Sequence, residues 1–388
     1  MKTPFIAALA CATLLASVAI AGPASAHDRS DRSPIGTGKP VIRTNDLLTP
    51  LSLEVDGEGV SYVSQNFAGE LTQVDRNGKK TAIVRAQGKE IGAVSQRHDS
   101  VYFAEGGQEP TSAYLMVKEG TAAPKRLADL YAYEKKNNPD RINTYGFVGL
   151  SKSCAAQIPT SSPAMNRYKG IVDSHPYASL ALRDGVYVAD AGGNDILRVD
   201  SDGHISTVAV LPPTAPVVIS KAIVTDLGLP QCVAGHKYIF EPVPTDVELG
   251  PDGWLYVTLL PGGPENDSLG ARGSVVKVNP DSGKVVKVAG GFVGATGLAV
   301  SEAGNIYVAE MFGGKDGKGQ VSIVRDDSKK GTKLVSLGSP AAIELRDGRL
   351  YVTTDSFVVD SKGEPRKIGK LTIVPLTKGG HSEDRPRE

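Results

Sequence analysis

The chain has 388 residues, including 44 glycines and 25 prolines, and its 43 Lys plus Arg balance 43 Asp plus Glu. A net charge of zero gives no electrostatic footprint for nucleic acid or an anionic membrane, so a polyanion is excluded as the expected partner. The length supplies one large domain after a leader, with enough glycine and proline to turn many short strands.

The first 26 residues read as a secretory signal. Lys2 precedes an apolar run from Phe5 to Ala21, and Ala24-Ser25-Ala26 makes a small-residue cleavage site before His27. That run is shorter than the roughly 20 residues a membrane span needs. No later stretch is long and apolar enough, so no transmembrane anchor is expected. Cys11 lies in the leader with too little apolar sequence ahead of it for lipidation. Residues 27–38 and 377–388 read as disordered ends around a single domain at 39–376. The mature chain keeps Cys154 and Cys232. In an oxidising compartment they can pair, and two buried free thiols are the alternative.

Within the domain one pattern is written six times: an apolar strand, a tight turn and a short strand centred on tyrosine. The copies are LSLEVDGEGVSYVS around Tyr62, AVSQRHDSVYFAE around Tyr102, SLALRDGVYVAD around Tyr187, DVELGPDGWLYVT around Tyr256, LAVSEAGNIYVAE around Tyr307 and AIELRDGRLYVTT around Tyr351. Recurrence at roughly 40 to 50 residues predicts a six-bladed β-propeller of four-stranded antiparallel blades. In the third copy, 177–182, 186–189, 196–199 and 205–211 are short β-branched runs between turn residues such as Arg183-Asp184-Gly185 and Ser201-Asp202-Gly203. The last copy runs short after 370–375, while 40–47 precedes the first strand. The N-terminal strand is therefore expected to complete the last blade and close the ring, leaving only short edges. Period-two alternation assigns most of the six tyrosines to packing between blades.

Antiparallel connectivity sorts the loops onto two faces. Asp56-Gly57, Asp184-Gly185, Asp252-Gly253, Ala303-Gly304 and Asp347-Gly348 are near-minimal turns on one face. The other face receives 106–112, 131–175, 212–243, 261–273, 311–319 and 355–367. Long loops in a compact domain usually carry function, so binding is expected there. Cys154 and Cys232 fall in insertions 131–175 and 212–243, where a bridge would tie two loops into a lid beside the channel mouth.

YVADAGGNDILRVDSDG resembles an NHL repeat. The larger pattern, HPYASLALRDGVYVADAGGNDILRV with FEPVPTDVELGPDGWLYVTLLPGGP and GFVGATGLAVSEAGNIYVAEMFGG, resembles the ScyD/ScyE family of exported propellers, of the TolB-like and SMP-30-like six-bladed class. The resemblance spans essentially the whole mature chain. It implies a propeller fold and an export route, hence a secreted, extracellular, envelope or periplasmic protein, and no general reaction.

Propeller sites normally gather where inner strands and looped ends meet the channel. Glu105, Asp190, Glu310 and Asp355 follow the tyrosine strands, and Glu90, His175, Asp246 and Thr296 stand near the starts of inner strands. Carboxylates from several blades converging there would suit Ca²⁺, which takes six to eight oxygen ligands. Such a centre would make a Ca²⁺-dependent lactonase of the gluconolactonase class. That class carries a glutamate before Pro-x-Trp in the first inner strand, where this chain reads Leu48-Thr49-Pro50-Leu51-Ser52. Trp254 sits beside a short-turn-face turn instead. Asp200-Ser201-Asp202-Gly203 imitates a calcium loop but has Leu211 at its twelfth position. Asn266-Asp267-Ser268 matches a glycosylation acceptor. No nucleophile elbow, paired zinc histidines or phosphate-cradling glycine loop is present. The leading expectation is a monomeric binding module that recognises a small molecule, glycan or protein on its looped face. A metal-dependent lactone hydrolase and a structural or adhesive envelope protein are the alternatives.

Overall fold

The computed structural model describes residues 35–107, 111–159, 166–325 and 328–378. Gly36–Thr377 forms one compact unit; of the other, Met1–Ile35 with Lys378–Glu388, only Ile35 and Lys378 are among the described residues. The expected signal sequence lies outside them.

The architecture is all-β, built of four-stranded antiparallel sheets. The first contains Leu53–Val55, Ser61–Gln65, Glu70–Val74 and Lys80–Arg85; the second, Glu90–Arg97, Ser100–Gly106, Ala113–Glu119 and Lys125–Asp129. The third contains Pro176–Leu182, Gly185–Asp190, Asp195–Val199 and Ile205–Val210; the fourth, Pro244–Leu249, Leu255–Leu259, Gly273–Val278 and Val285–Phe292. The fifth contains Ala295–Val300, Ile306–Glu310, Gln320–Val324 and Thr332–Ser336. A further sheet starts with Ile343–Arg346, Arg349–Thr354 and Gly369–Lys378. Onto its last strand pairs Val41–Leu47, with Val41 opposite Ile373 and Leu47 opposite Gly369.

The first strand of each sheet touches the first strand of the next, and Ile343–Arg346 touches Leu53–Val55. That closed cycle is the plan of a β-propeller, in which sheets pack face to face around a channel. Short polar side chains latch neighbouring inner strands. Ser52 Oγ accepts from Val94 N at 2.7 Å, Ser95 Oγ meets Ser179 Oγ at 2.8 Å, and Thr245 Oγ1 donates to Ala295 O at 2.9 Å. Thr296 Oγ1 donates to Ala341 O at 3.0 Å, and Arg346 donates to Val55 O at 2.8 Å.

Each repeat makes sense as a packing device. Tyr187 is buried in a cluster with Val247, Leu255 and Val257 of the next sheet, and Tyr256 in one with Leu298, Ile306 and Val308. Their hydroxyls, which a buried tyrosine must partner, donate to the turn aspartate of the same repeat: Tyr187 to Asp184 at 2.8 Å and Tyr256 to Asp252 at 3.3 Å. In these two repeats Asp and Tyr therefore occur together for one reason.

Three expectations are corrected. Insertions 131–175 and 212–243 are not a lid of irregular loops. They interleave as a small sheet of Tyr168–Lys169, Thr144–Val148, Lys237–Ile239 and Val217–Val218, accompanied by helices Leu130–Asn137, Lys152–Ala155 and Lys221–Asp226. Phe147, Ile223, Val224, Val233, Tyr238 and Phe240 give it its own apolar cluster, to which the Cys154–Cys232 disulfide is attached. Ile35–Thr37, placed in a disordered end, is strand, and Gly369–Lys378 extends two residues into the expected tail. Backbone pairing continues wherever a partner strand is in reach.

Candidate functional site

On the long-loop face, a pocket of about 220 Å³ opens between the first and second sheets and the approach to the third. Asn66, Glu90, Ser112, Asp173, Ser174 and His175 supply its polar wall. The second sheet's loop contributes Gly106, Gly107 and Ser112; residues 108–110 at its tip lie outside the described residues. Gly92 packs closely in the wall: a Cβ there would stand 3.2 Å from Asn66 Nδ2.

The candidate residues named from the sequence separate. His175 lines the pocket. Asp190 lies behind it and is consumed by structure: Oδ1 accepts from the backbone N–H groups of His175 (2.7 Å), Gly192 (3.1 Å) and Gly193 (3.0 Å), while Oδ2 accepts from Ser174 Oγ (2.6 Å). Glu105 is inside strand Ser100–Gly106, opposite Ile91 and Tyr114, and is not part of the pocket wall. Glu310 is buried and accepts from Val293 N, Gln320 and Ser322. Asp355 pairs with Lys370 at 2.6 Å. Asp246 lines the central channel, where its carboxylate accepts from Val247 N at 2.9 Å and Leu298 N at 2.7 Å. Among the described residues no three acidic, histidine or cysteine side chains are grouped to hold a metal ion.

The channel is constricted. Ser52, Val94, Ser179, Asp246, Thr296 and Glu344 come from different sheets to surround a cavity of about 10 Å³, space for roughly one water. Toward the short-turn face, Glu54, Glu248 and Glu344 occupy one register position, opposite Tyr62, Tyr256 and Tyr351. Burial raises Glu54 to about 7, against the opposing pull of the Gln96 and Val55 N–H groups and of Arg346. Asp246 is likewise pushed to about 7 by burial. Glu248 and Glu344 go well above the usual carboxylate range, through burial first and then the charge of neighbouring carboxylates. These glutamates were legible in the repeats as apolar-Glu-apolar before the turn, in SLEVDG, DVELGPDG and IELRDG; the expected positions were the ends of the tyrosine strands and the starts of the inner strands, which leave them out.

A second acidic cluster lies where the 131–175 insertion meets the third sheet. Glu134 comes from helix Leu130–Asn137, Asp140 from the turn after it, Asp173 from the approach to the inner strand, and Asp190 and Asp195 from a hairpin. Asp190 and Asp195 are directly opposed, a placement that like charges normally disfavour. Burial raises Glu134 to about 8, with the charges of Asp190 and Asp140 adding to it, and holds Asp195 well above its ordinary value. Asp140 is raised by burial against the pull of Asn194 and Tyr145.

No family model matches this chain, and no curated protein matches it. Similar solved structures include the PQQ-bound form of an aldose sugar dehydrogenase from Streptomyces coelicolor, 13% identical over 89% of this chain and 99% of that one, with a TM-score of 0.51. A proposed oxidoreductase (glucose dehydrogenase) from Thermus thermophilus is 14% identical over 87% and 100% of the two chains, with a TM-score of 0.50. A gluconolactonase from Xanthomonas campestris is 11% identical over 87% and 89%, with a TM-score of 0.49. At these identities the likeness is one of β-propeller fold and transfers no activity.

Proposed function

We propose that the chain is an exported six-bladed β-propeller, closed by its N-terminal strand, that binds a small polar molecule on the long-loop face. The cycle of inner-strand contacts and the pairing of Val41–Leu47 with Gly369–Lys378 support the blade count and the closure. Export is supported by the Cys154–Cys232 disulfide and the N-terminal signal pattern, and by the resemblance to ScyD/ScyE proteins. No helix of the described residues is long and apolar enough to cross a membrane.

The observation that carries the binding reading is the 220 Å³ pocket in which Asn66, Glu90, Ser112 and His175 converge. Concave sites with a few converging polar groups are the usual places for small ligands. Carboxylate, amide and imidazole groups favour a ligand rich in donors, an amine-bearing or polyhydroxylated molecule of monosaccharide size. Isothermal titration of the mature protein with glucosamine, glucose and gluconolactone tests this. Binding of glucosamine or glucose that weakens at least tenfold in Glu90→Gln supports it. Silence with all three probes rejects it, and turnover of gluconolactone would mark a hydrolase instead.

A further inference from the structure

The acidic cluster at the foot of the insertion is out of balance in one direction. Glu134 Oε1, Asn138 Oδ1, Asp140 Oδ1, Asp173 Oδ1 and both carboxylate oxygens of Asp195 are buried without a hydrogen-bond partner. Glu134, Asp140 and Asp195 are only 2%, 1% and 1% exposed. None of these carboxylates has a lysine or arginine at ion-pair distance among the described residues. Every orphan here is an acceptor, and a positive charge shared among several of these oxygens would satisfy them together.

We propose that this cluster binds a hard divalent cation, Ca²⁺ by its chemistry, through Asp195, Asp140, Glu134 and Asn138 Oδ1, with Asp173 at its edge. The donor set is all oxygen, which selects against zinc and copper. No three acidic side chains of the described residues are yet at ligating distance of one point, so the ion must draw them in. Ca²⁺ accepts six to eight oxygens in loose geometry, whereas Mg²⁺ demands a near-ideal octahedron.

The surroundings prepare the oxygens. Tyr145 Oη (3.1 Å) and Asn194 Nδ2 (3.0 Å) both donate to Asp140 Oδ2, holding that carboxylate and leaving Oδ1 over. Such outer partners orient ligands. A Cβ at Gly170 would collide with Asp140 Oδ1, so only glycine there lets the Asp140 carboxylate lie where it does. Asp190, with both oxygens engaged, positions the hairpin and the Ser174-His175 backbone and is not a ligand. The ion would fasten helix Leu130–Asn137 and its turn to the third sheet. The proposal does not rest on the pocket reading: failure of every sugar titration leaves it standing.

The test uses the mature protein stripped with EDTA and re-titrated with Ca²⁺, following melting temperature, and with Tb³⁺, following tyrosine-sensitised emission, since Tyr145 donates to Asp140. We expect Ca²⁺ to raise the melting temperature and to quench the Tb³⁺ signal by displacement. Asp195→Asn should bind at least tenfold more weakly, melt above wild type in EDTA and melt below it in saturating Ca²⁺. Glu248→Gln, in the channel, should bind as wild type does. Absence of a Ca²⁺ shift and of sensitised emission in wild type overturns the proposal. So does wild-type affinity in Asp195→Asn, or stabilisation of that variant in both conditions, which would mean that protons neutralise the cluster. If Asp195→Asn lacks the wild-type circular dichroism spectrum, Glu134→Gln is read by the same criteria.

Discussion

Asp190 and Asp195 stand directly opposite each other in one hairpin of the third sheet, yet Asp190 accepts four hydrogen bonds and neither oxygen of Asp195 has a partner. Two identical side chains at paired positions thus do different work. Asp190 replaces solvent for the backbone of two approaching segments; Asp195 is left as a buried acceptor.

That asymmetry predicts unequal mutational costs. Asp190→Ala strands three backbone N–H groups and a serine hydroxyl, and should lower unfolding free energy by about 3 to 5 kcal/mol. Asp190→Asn keeps one acceptor and should cost less than half as much. Urea titration followed by circular dichroism measures both, and a loss below about 1 kcal/mol for Asp190→Ala would contradict the role assigned.

The disulfide closes a sequence separation of 78 residues. The loop-entropy relation gives about 4.5 kcal/mol for such a closure. Its effect should be local, because the bridged residues belong to the small sheet with its own apolar cluster. Reduction, or Cys154→Ala with Cys232→Ala, should open insertions 131–175 and 212–243 to limited proteolysis before the inner strands become cleavable. Simultaneous cleavage everywhere would show that the insertion and the ring unfold as one unit.

The channel carboxylates predict a pH dependence. Glu54 and Asp246 are raised to about 7 by burial, against roughly 4 in an unfolded chain. The folded state therefore holds more protons than the unfolded state between these values. Stability should be greatest near pH 4 and below as far as these groups are concerned, and should fall as pH rises toward 7, by up to about 1.4 kcal/mol per pH unit for each group. Asp56 raises Glu54 further and Arg346 opposes the rise. Glu54→Gln should flatten the melting-temperature profile between about pH 4 and 7; an unchanged profile would remove Glu54 as its source.

Close approach of inner strands can be probed at Gly297. A Cβ there would meet Ala341 O at 2.5 Å and Ala342 Cα at 3.2 Å, both from the segment leading into strand Ile343–Arg346 of the neighbouring sheet. Gly297→Ala should destabilise by about 1 to 3 kcal/mol through overpacking, whereas Gly57→Ala, with nothing within 4 Å, should be nearly neutral. Thermal melts of the two variants make the comparison.

The sheets were readable because strand alternation and Asp-Gly turns are local signals. YVADAGGNDILRV shows its hairpin directly, and the Tyr187 to Asp184 bond is a contact across three residues. The disulfide was readable from compartment chemistry. The site was less readable: of Glu90, Glu105, His175, Asp190, Asp246, Thr296, Glu310 and Asp355, Glu90 and His175 line the pocket and the other six do not. Glu310 and Asp355 looked alike in sequence, but nearby backbone decides the role of one and a lysine beyond a long loop that of the other. The insertions read as loops because Thr144–Val148 finds its partners at Tyr168–Lys169 and Lys237–Ile239, and no local period announces a pairing across about 90 residues.

By itself, the sequence determined the repeated strands, the turns and the side of the molecule that carries the long segments, since these follow from side-chain alternation and backbone preference within a few residues. Only the tertiary structure decided which carboxylates are spent on backbone N–H groups and which are buried without a partner. Burial and unpaired charge depend on what distant segments bring to the same place: Glu134 and Asp140 from an insertion, Asp195 from a hairpin more than fifty residues later.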